Sequence, residues 1–124
     1  MFELKVTTRF AAAHQLKMVA QKCENLHGHN WKIEVCVAGE KLDAAGILVD
    51  FGVVKAHVAE IMDRLDHKFL NELEYFSDSS ASSENIAFYV AHSLQELLDV
   101  PGVRVSRVTA WESDDASATY IVPA

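Results

Sequence analysis

Two stretches of the chain alternate apolar and polar side chains with a period of two, and this pattern limits the fold more than any other feature. Phe2, Leu4, Val6 and Phe10 interleave with Glu3, Lys5, Thr7 and Arg9; Trp31, Ile33, Val35 and Val37 interleave with Lys32, Glu34 and Cys36. Successive side chains of a strand point to opposite faces. Each stretch therefore predicts a strand with one buried face, over Phe2–His14 and about His29–Ala38. Further along, the period changes. Phe51, Val54, Val58, Ile61, Met62 and Leu65 recur at three- and four-residue steps, the stripe of an amphipathic helix. Asp50 stands where its carboxylate can cap the first turn, and Gly52 weakens that turn. Ile86, Val90, Leu94, Leu97 and Leu98 form a second stripe, capped by Ser82 or Ser83, running to about Asp99 and stopped by Pro101-Gly102. Val103 to Glu112 predicts a third strand. Its Val103, Val105 and Val108 break strict alternation, as a bulge would. Ser117 to Val122 predicts a fourth. The order strand, strand, helix, helix, strand, strand implies an α+β fold: a four-stranded antiparallel sheet, with two helices inserted between strands two and three and covering one face.

The length, 124 residues, suits one domain spanning 1–124 with a single core. Half of the residues are hydrophobic, which argues against disorder. No apolar run approaches the ~20 residues of a membrane span, and Met-Phe-Glu-Leu-Lys is unlike a signal peptide. No membrane partner is expected. Cys23 and Cys36 do not suggest a disulfide framework, so a reducing cytoplasm is the expected location. The net charge of -7 argues against nucleic acid as a partner. An anionic ligand would need a local positive patch, for which Arg9, Lys17, Lys22 and Lys68 are the candidates.

Reactive side chains gather in Cys23-Glu-Asn-Leu-His27-Gly-His29-Asn-Trp31. His27 and His29, two apart, share one face of a strand and can converge on one ion, at zinc–nitrogen distances of about 2.0–2.1 Å. Catalytic zinc takes three protein ligands and keeps a fourth position open. The best third ligand is His14, at the end of the first strand; alone it would read as a core histidine with a hydrogen-bond partner. Cys23 admits two roles. As a fourth ligand it would close a structural site. As a free thiol beside a cation its pKa falls, and it can act as general base or nucleophile. Asp66-His67 follows the last apolar residue of the first helix and reads either as a helix end, favoured by the dipole, or as an acid–base pair at the mouth of a site. Glu112, by itself, reads as an exposed charge at a strand end. Cys36 lies on the other sheet face and has no assigned role, and His57 is on the polar flank of its helix. Residues Phe69 to Ser80 read as a loop anchored by Tyr75 and Phe76.

The ordered set Ala-Ala-His14, Cys23-x-x-x-His27-Gly-His29, Leu65-Asp66-His67, Ser83-Glu84-Asn85 and Trp111-Glu112-Ser113 resembles the 6-pyruvoyltetrahydropterin synthase family over nearly the whole chain. Its wording is most similar to the bacterial 6-carboxytetrahydropterin synthase branch. The resemblance implies the tunnelling fold, in which subunits join sheet edge to sheet edge as a trimer or a dimer of trimers, with active sites between subunits. It implies Zn2+ held by His14, His27 and His29, with Cys23 as general base and not a ligand. Asp66 and His67 would be the second acid–base group, and Glu112 would anchor the pterin ring, since a carboxylate matches two parallel N–H donors. The implied substrate is 7,8-dihydroneopterin triphosphate, a small-molecule pterin triphosphate. The bacterial branch converts it to 6-carboxy-5,6,7,8-tetrahydropterin with loss of acetaldehyde and triphosphate, a carbon–carbon lyase step toward queuosine. The other branch eliminates triphosphate to give a pyruvoyl side chain. Two departures from the family pattern stand out: Ala81-Ser82 where Pro-Thr is common, and Ser113 where threonine is common. A competing reading is a non-enzymatic zinc- or pterin-binding module with Cys23 as the fourth ligand. A zinc peptidase is disfavoured, because the sequence holds no His-Glu-x-x-His.

Overall fold

The structure is a computed structural model that describes residues 1–16, 26–77 and 79–124. Its elements are β1 (Phe2–His14), β2 (His27–Gly39), α1 (Phe51–Leu65), α2 (Ser83–Leu97), β3 (Arg104–Ser113) and β4 (Ala116–Ile121), with two single-turn 3-10 helices at Leu70–Glu72 and Glu74–Phe76. The strands form one antiparallel sheet in the order β1-β2-β3-β4. This is the α+β arrangement that the element order implied, and it is the element order of the tunnelling fold that the resemblance implied. Strand β2 begins two residues earlier than its alternation suggested, so both His27 and His29 lie within it.

The pairing of β1 with β2 sets everything that follows. Phe10 lies opposite Trp31, Val6 opposite Val35, and Leu4 opposite Val37, which puts the apolar sets of both strands on one face. The expected irregularity in β3 is present. Cys36 pairs with Arg107 but Val37 pairs with Val105, so Ser106 is an extra residue on β3. The extra residue returns Val105, Val108 and Ala110 to the buried face, and each is fully buried.

The helices cover that face, α1 over β1 and α2 over β3 and β4. Asp50 caps α1 by accepting from the Gly52 N–H at 2.7 Å, and Ser82 caps α2 by accepting from the Asn85 N–H at 3.2 Å. Val54, Val58, Ile61, Met62 and Leu65 of α1 meet Ile86, Ala87, Val90 and Leu94 of α2 in one core with the sheet. Several expected core members differ, beginning with Phe2, which is exposed, and Leu4, which is half-buried. Phe51 is exposed in the first turn of α1; Leu97 is half-buried at the last turn of α2; and Tyr75 is exposed, leaving Phe76 as the buried anchor of the 69–80 segment. Helix α2 stops at Leu97, two residues short of Asp99.

Cys36 sits on the face away from the helices, as the alternation required, yet it is buried there. The Glu3–Arg107 ion pair (2.7 Å) spans the neighbouring strands on that face. Burial pushes the Cys36 thiol up, although the adjacent Arg107 opposes the shift. At the far end of the sheet Gly39 has no room for a side chain. A Cβ there would lie 2.6 Å from both the Gly102 carbonyl oxygen and a Leu48 methyl. A concavity of about 610 Å3 lies at this end, around Gly39 and Gly102. The chemistry-bearing residues gather at the other end.

Candidate metal centre and acid–base pair

The register brings the three histidines together. His14, the last residue of β1, pairs directly with His27, the first of β2, and Ala12 pairs with His29. His29 is therefore the diagonal neighbour of His14 on the same face. The imidazole centroids lie 4.4–5.0 Å apart, with the rings steeply inclined to one another. Nε2 of His14 is 3.0 Å from Nε2 of His27. Trp31 forms the floor. It is fully buried, stacks on Phe10 at 5.3 Å, and meets the rings of His14 and His29 at 4.8 and 5.0 Å.

His14 is fixed by one long-range bond. Its Nδ1 is 2.8 Å from the carbonyl oxygen of Ala81, at the entrance to α2. A carbonyl only accepts, so Nδ1 carries the proton and donates it. Nε2, which faces the other two histidines, then presents a lone pair in the neutral ring. A ligand imidazole is commonly oriented by this kind of bond from its second nitrogen. Two such lone pairs cannot rest 3.0 Å apart without a proton or a cation between them. The donor set therefore suits a divalent metal.

Glu112 also reaches this cluster. Its Oε1 lies 2.7 Å from His29 Nε2, 3.5 Å from His14 Nε2 and 3.8 Å from His27 Nε2. One atom from each of the four residues falls within 4.8 Å of the others. The sequence marked Glu112 only through its family resemblance, as an anchor for a pterin ring. A local signal existed: Val108, Ala110 and Glu112 continue one inward-facing series on β3.

Asp66 and His67 arrive from α1 and are pinned along the outer edge of β1. Ala11 N–H donates to Asp66 Oδ1 at 2.9 Å, His67 N–H donates to the Ala11 carbonyl, and Ala13 N–H donates to the Lys68 carbonyl. The segment thus pairs part of the sheet edge. The Ala11 N–H, helped by the neighbouring His67, holds the Asp66 carboxyl below the usual carboxylate range despite some desolvation. Asp66 Oδ2 is 2.9 Å from His67 Nδ1, so the other ring nitrogen of His67 faces outward, and the ring is 82% exposed. His67 has a φ of 58°. That left-handed conformation is uncommon outside glycine and is a frequent mark of functional positions. His67, Lys68 and His29 line one open concavity of about 530 Å3 beside β1 and β2.

The structure thus brings His14, His27, His29 and Glu112 together, and it puts His67, which is paired with Asp66, on a concavity that His29 also lines. Cys23 lies outside the described residues, as do Lys17 and Lys22. Of the two described candidates for a positive patch, Lys68 lines the concavity, whereas Arg9 opens onto the opposite sheet face beside Lys32 and Trp111.

Fold and site together define a tunnelling-fold protein with a candidate divalent-metal centre at one end of its sheet. The chain belongs to the 6-pyruvoyl tetrahydropterin synthase family, whose model matches residues 3–122. It is 34% identical over 120 residues to human 6-pyruvoyl tetrahydrobiopterin synthase, covering 94% of this chain and 81% of that one. It is 36% identical over 119 residues to the 6-carboxy-5,6,7,8-tetrahydropterin synthase of Synechocystis, covering 92% and 88%. It is also 33% identical over 107 residues to the dihydroneopterin monophosphate aldolase of Pyrococcus furiosus, covering 86% and 85%. The solved Caenorhabditis elegans 6-pyruvoyl tetrahydropterin synthase superposes with a TM-score of 0.87 at 25% identity, covering 98% of this chain and 96% of that one. Among the described residues no helix is long and apolar enough to cross a membrane.

Proposed function

We propose that this protein is a zinc-dependent lyase acting on 7,8-dihydroneopterin triphosphate, forming 6-carboxy-5,6,7,8-tetrahydropterin with release of acetaldehyde and triphosphate. The observation that carries the reading is the meeting of His14, His27 and His29, in a chain of this family, with His29 sharing a concavity with His67. Bound zinc would supply Lewis-acid polarisation of the substrate's side-chain hydroxyls. The protein's own groups do the rest. Cys23, four residues before His27 in the sequence, is the proposed general base; a cation bound beside it would favour its thiolate near neutrality. Asp66 stays ionised, because the Ala11 N–H stabilises its charge, and it orients the proton on His67 Nδ1. The outward nitrogen of His67 is then free to exchange a proton with a substrate in the concavity. Glu112 can accept two parallel N–H bonds from the guanidine-like edge of a pterin, and Lys68 offers positive charge to the phosphates.

Identity alone does not choose the reaction, because relatives with different products match almost equally well. The preference for the carboxy product rests on the Cys23–His29 wording. The pyruvoyl product from the same substrate is the second reading. We further propose a cytoplasmic homo-oligomer, a trimer or dimer of trimers, with its active sites between subunits. Mass spectrometry of products from 7,8-dihydroneopterin triphosphate separates the reactions. Acetaldehyde and a carboxypterin support the first, a pyruvoyl pterin the second. Turnover undiminished in Cys23→Ala would remove the thiol from the mechanism.

A further inference from the structure

We propose that Glu112 is a fourth, exchangeable metal ligand, which closes the divalent-cation site in the resting protein and leaves it when a pterin enters. The ligand assignment stands on geometry. Four ligands about 2.0–2.1 Å from a tetrahedral zinc are separated from one another by about 3.3–3.4 Å. Four of the six separations scatter around that edge length: 3.0 Å for His14–His27, 3.5 Å for His14–Glu112, 3.8 Å for His27–Glu112 and 2.7 Å for His29–Glu112. One Glu112 oxygen lies within 4 Å of all three imidazole nitrogens, where a fourth ligand would stand. The charge agrees: three neutral imidazoles leave a divalent ion with its full double charge, and one carboxylate halves it.

Exchange follows from where the four residues sit. His14 is buried and tied to Ala81, whereas the Glu112 side chain is about one-third exposed. Glu112 also lies at the register irregularity between Trp111 and Ser113, one residue before β3 ends. It is the member of the set with room to swing. The same carboxylate cannot hold both the metal and the guanidine-like edge of a pterin, so the two ligands compete for it. This second half rests on the pterin reading above; the first half does not.

The test has two arms. X-ray absorption at the zinc edge of the zinc-loaded full-length protein should show only nitrogen and oxygen near 2.0–2.1 Å. Chelator competition should show Glu112→Gln weakening zinc by tenfold or more, with circular dichroism confirming the fold. A sulfur shell near ~2.3 Å, which would mean Cys23 fills the position, or unchanged zinc affinity in the variant, would overturn the ligand assignment. The second arm uses 6-methyl-7,8-dihydropterin, which lacks side-chain hydroxyls. Linkage is reciprocal, so zinc should weaken its binding about fivefold or more in the wild type, and the pterin should weaken zinc binding by the same factor. Equal binding with and without zinc overturns the exchange. No pterin binding under either condition sinks the pterin reading as well, and leaves the ligand assignment to the first arm.

Discussion

Trp31, the floor of the histidine cluster, offers a prediction whose magnitude follows from two opposed effects. Its indole is fully buried, and its N–H meets no acceptor among the described residues. Cutting a buried tryptophan to alanine ordinarily costs about 3–5 kcal/mol. A phenyl ring retains most of the packing on Phe10, so Trp31→Phe should lose only about 1–2 kcal/mol of it. Against that, a buried donor without a partner carries a penalty of about 1–3 kcal/mol, which both substitutions remove. Trp31→Phe should therefore lie within about 1 kcal/mol of the wild type. Trp31→Ala, with the same relief, should still cost about 2–3 kcal/mol. The assay is urea unfolding followed by circular dichroism, since one of only two tryptophans is being removed. It should run in excess chelator and at fixed protein concentration, because bound metal or subunit association would add its own stabilisation. Trp31 also touches the rings of His14 and His29. The alanine variant should thus bind zinc about 10–100-fold more weakly, as loss of support for ligands does, while the phenylalanine variant binds normally. A cost above about 2 kcal/mol for Trp31→Phe would refute the reasoning, since it would mean that the indole N–H is satisfied in solution.

Other consequences are simpler. Asp50→Ala and Ser82→Ala each remove a side-chain cap and should each cost about 0.5–2 kcal/mol in the same unfolding assay, without altering metal content. Gly39→Ala drives a methyl into the Gly102 carbonyl and should cost about 1–3 kcal/mol, the usual range for overpacking. Asp66 and Glu3 both have carboxyls held below their ordinary values, Asp66 chiefly by the Ala11 N–H and Glu3 chiefly by the Ser106 hydroxyl. A depressed native pKa adds stability that is present above the unfolded value, near pH 4, and is lost as pH falls through the native one. Asp66→Asn should therefore flatten the acid limb of a stability–pH curve below about pH 4 and leave the neutral region parallel to the wild type.

The parts of the fold legible in the sequence are those fixed by local period. Alternation in Phe2–Phe10 and Trp31–Val37 gave the buried faces of β1 and β2, and the broken spacing of Val103, Val105 and Val108 gave the bulge at Ser106. Asp50 was legible as a cap, and the second cap as Ser82 or Ser83, because capping is a short-range bond; the structure selects Ser82. What stayed hidden depends on contacts across long stretches of chain. The Ala81 carbonyl that orients His14 is 67 residues away, and the Ala11–Asp66 bond spans 55. Neither leaves a periodic trace. Phe51 fits the stripe of α1 by spacing yet is exposed, because periodicity cannot say how far along a helix its partners extend. His14, His27 and His29 were found as a set because spacing within a strand is local and a hairpin register is nearly so. Glu112 belongs to β3, whose register against β2 is set only after two helices and the bulge, and its approach to His29 could not be counted from the sequence.

The central claim is that three imidazoles from two paired strands hold one divalent ion. Its most direct test is the zinc content of purified protein, measured by mass spectrometry of the metal, for the wild type and for His14→Ala, His27→Ala and His29→Ala, each checked for native circular dichroism. One zinc per chain in the wild type and loss of it in every folded variant is the result this account predicts. A wild type that binds no zinc when it is supplied, or folded variants that keep a full equivalent, would contradict it.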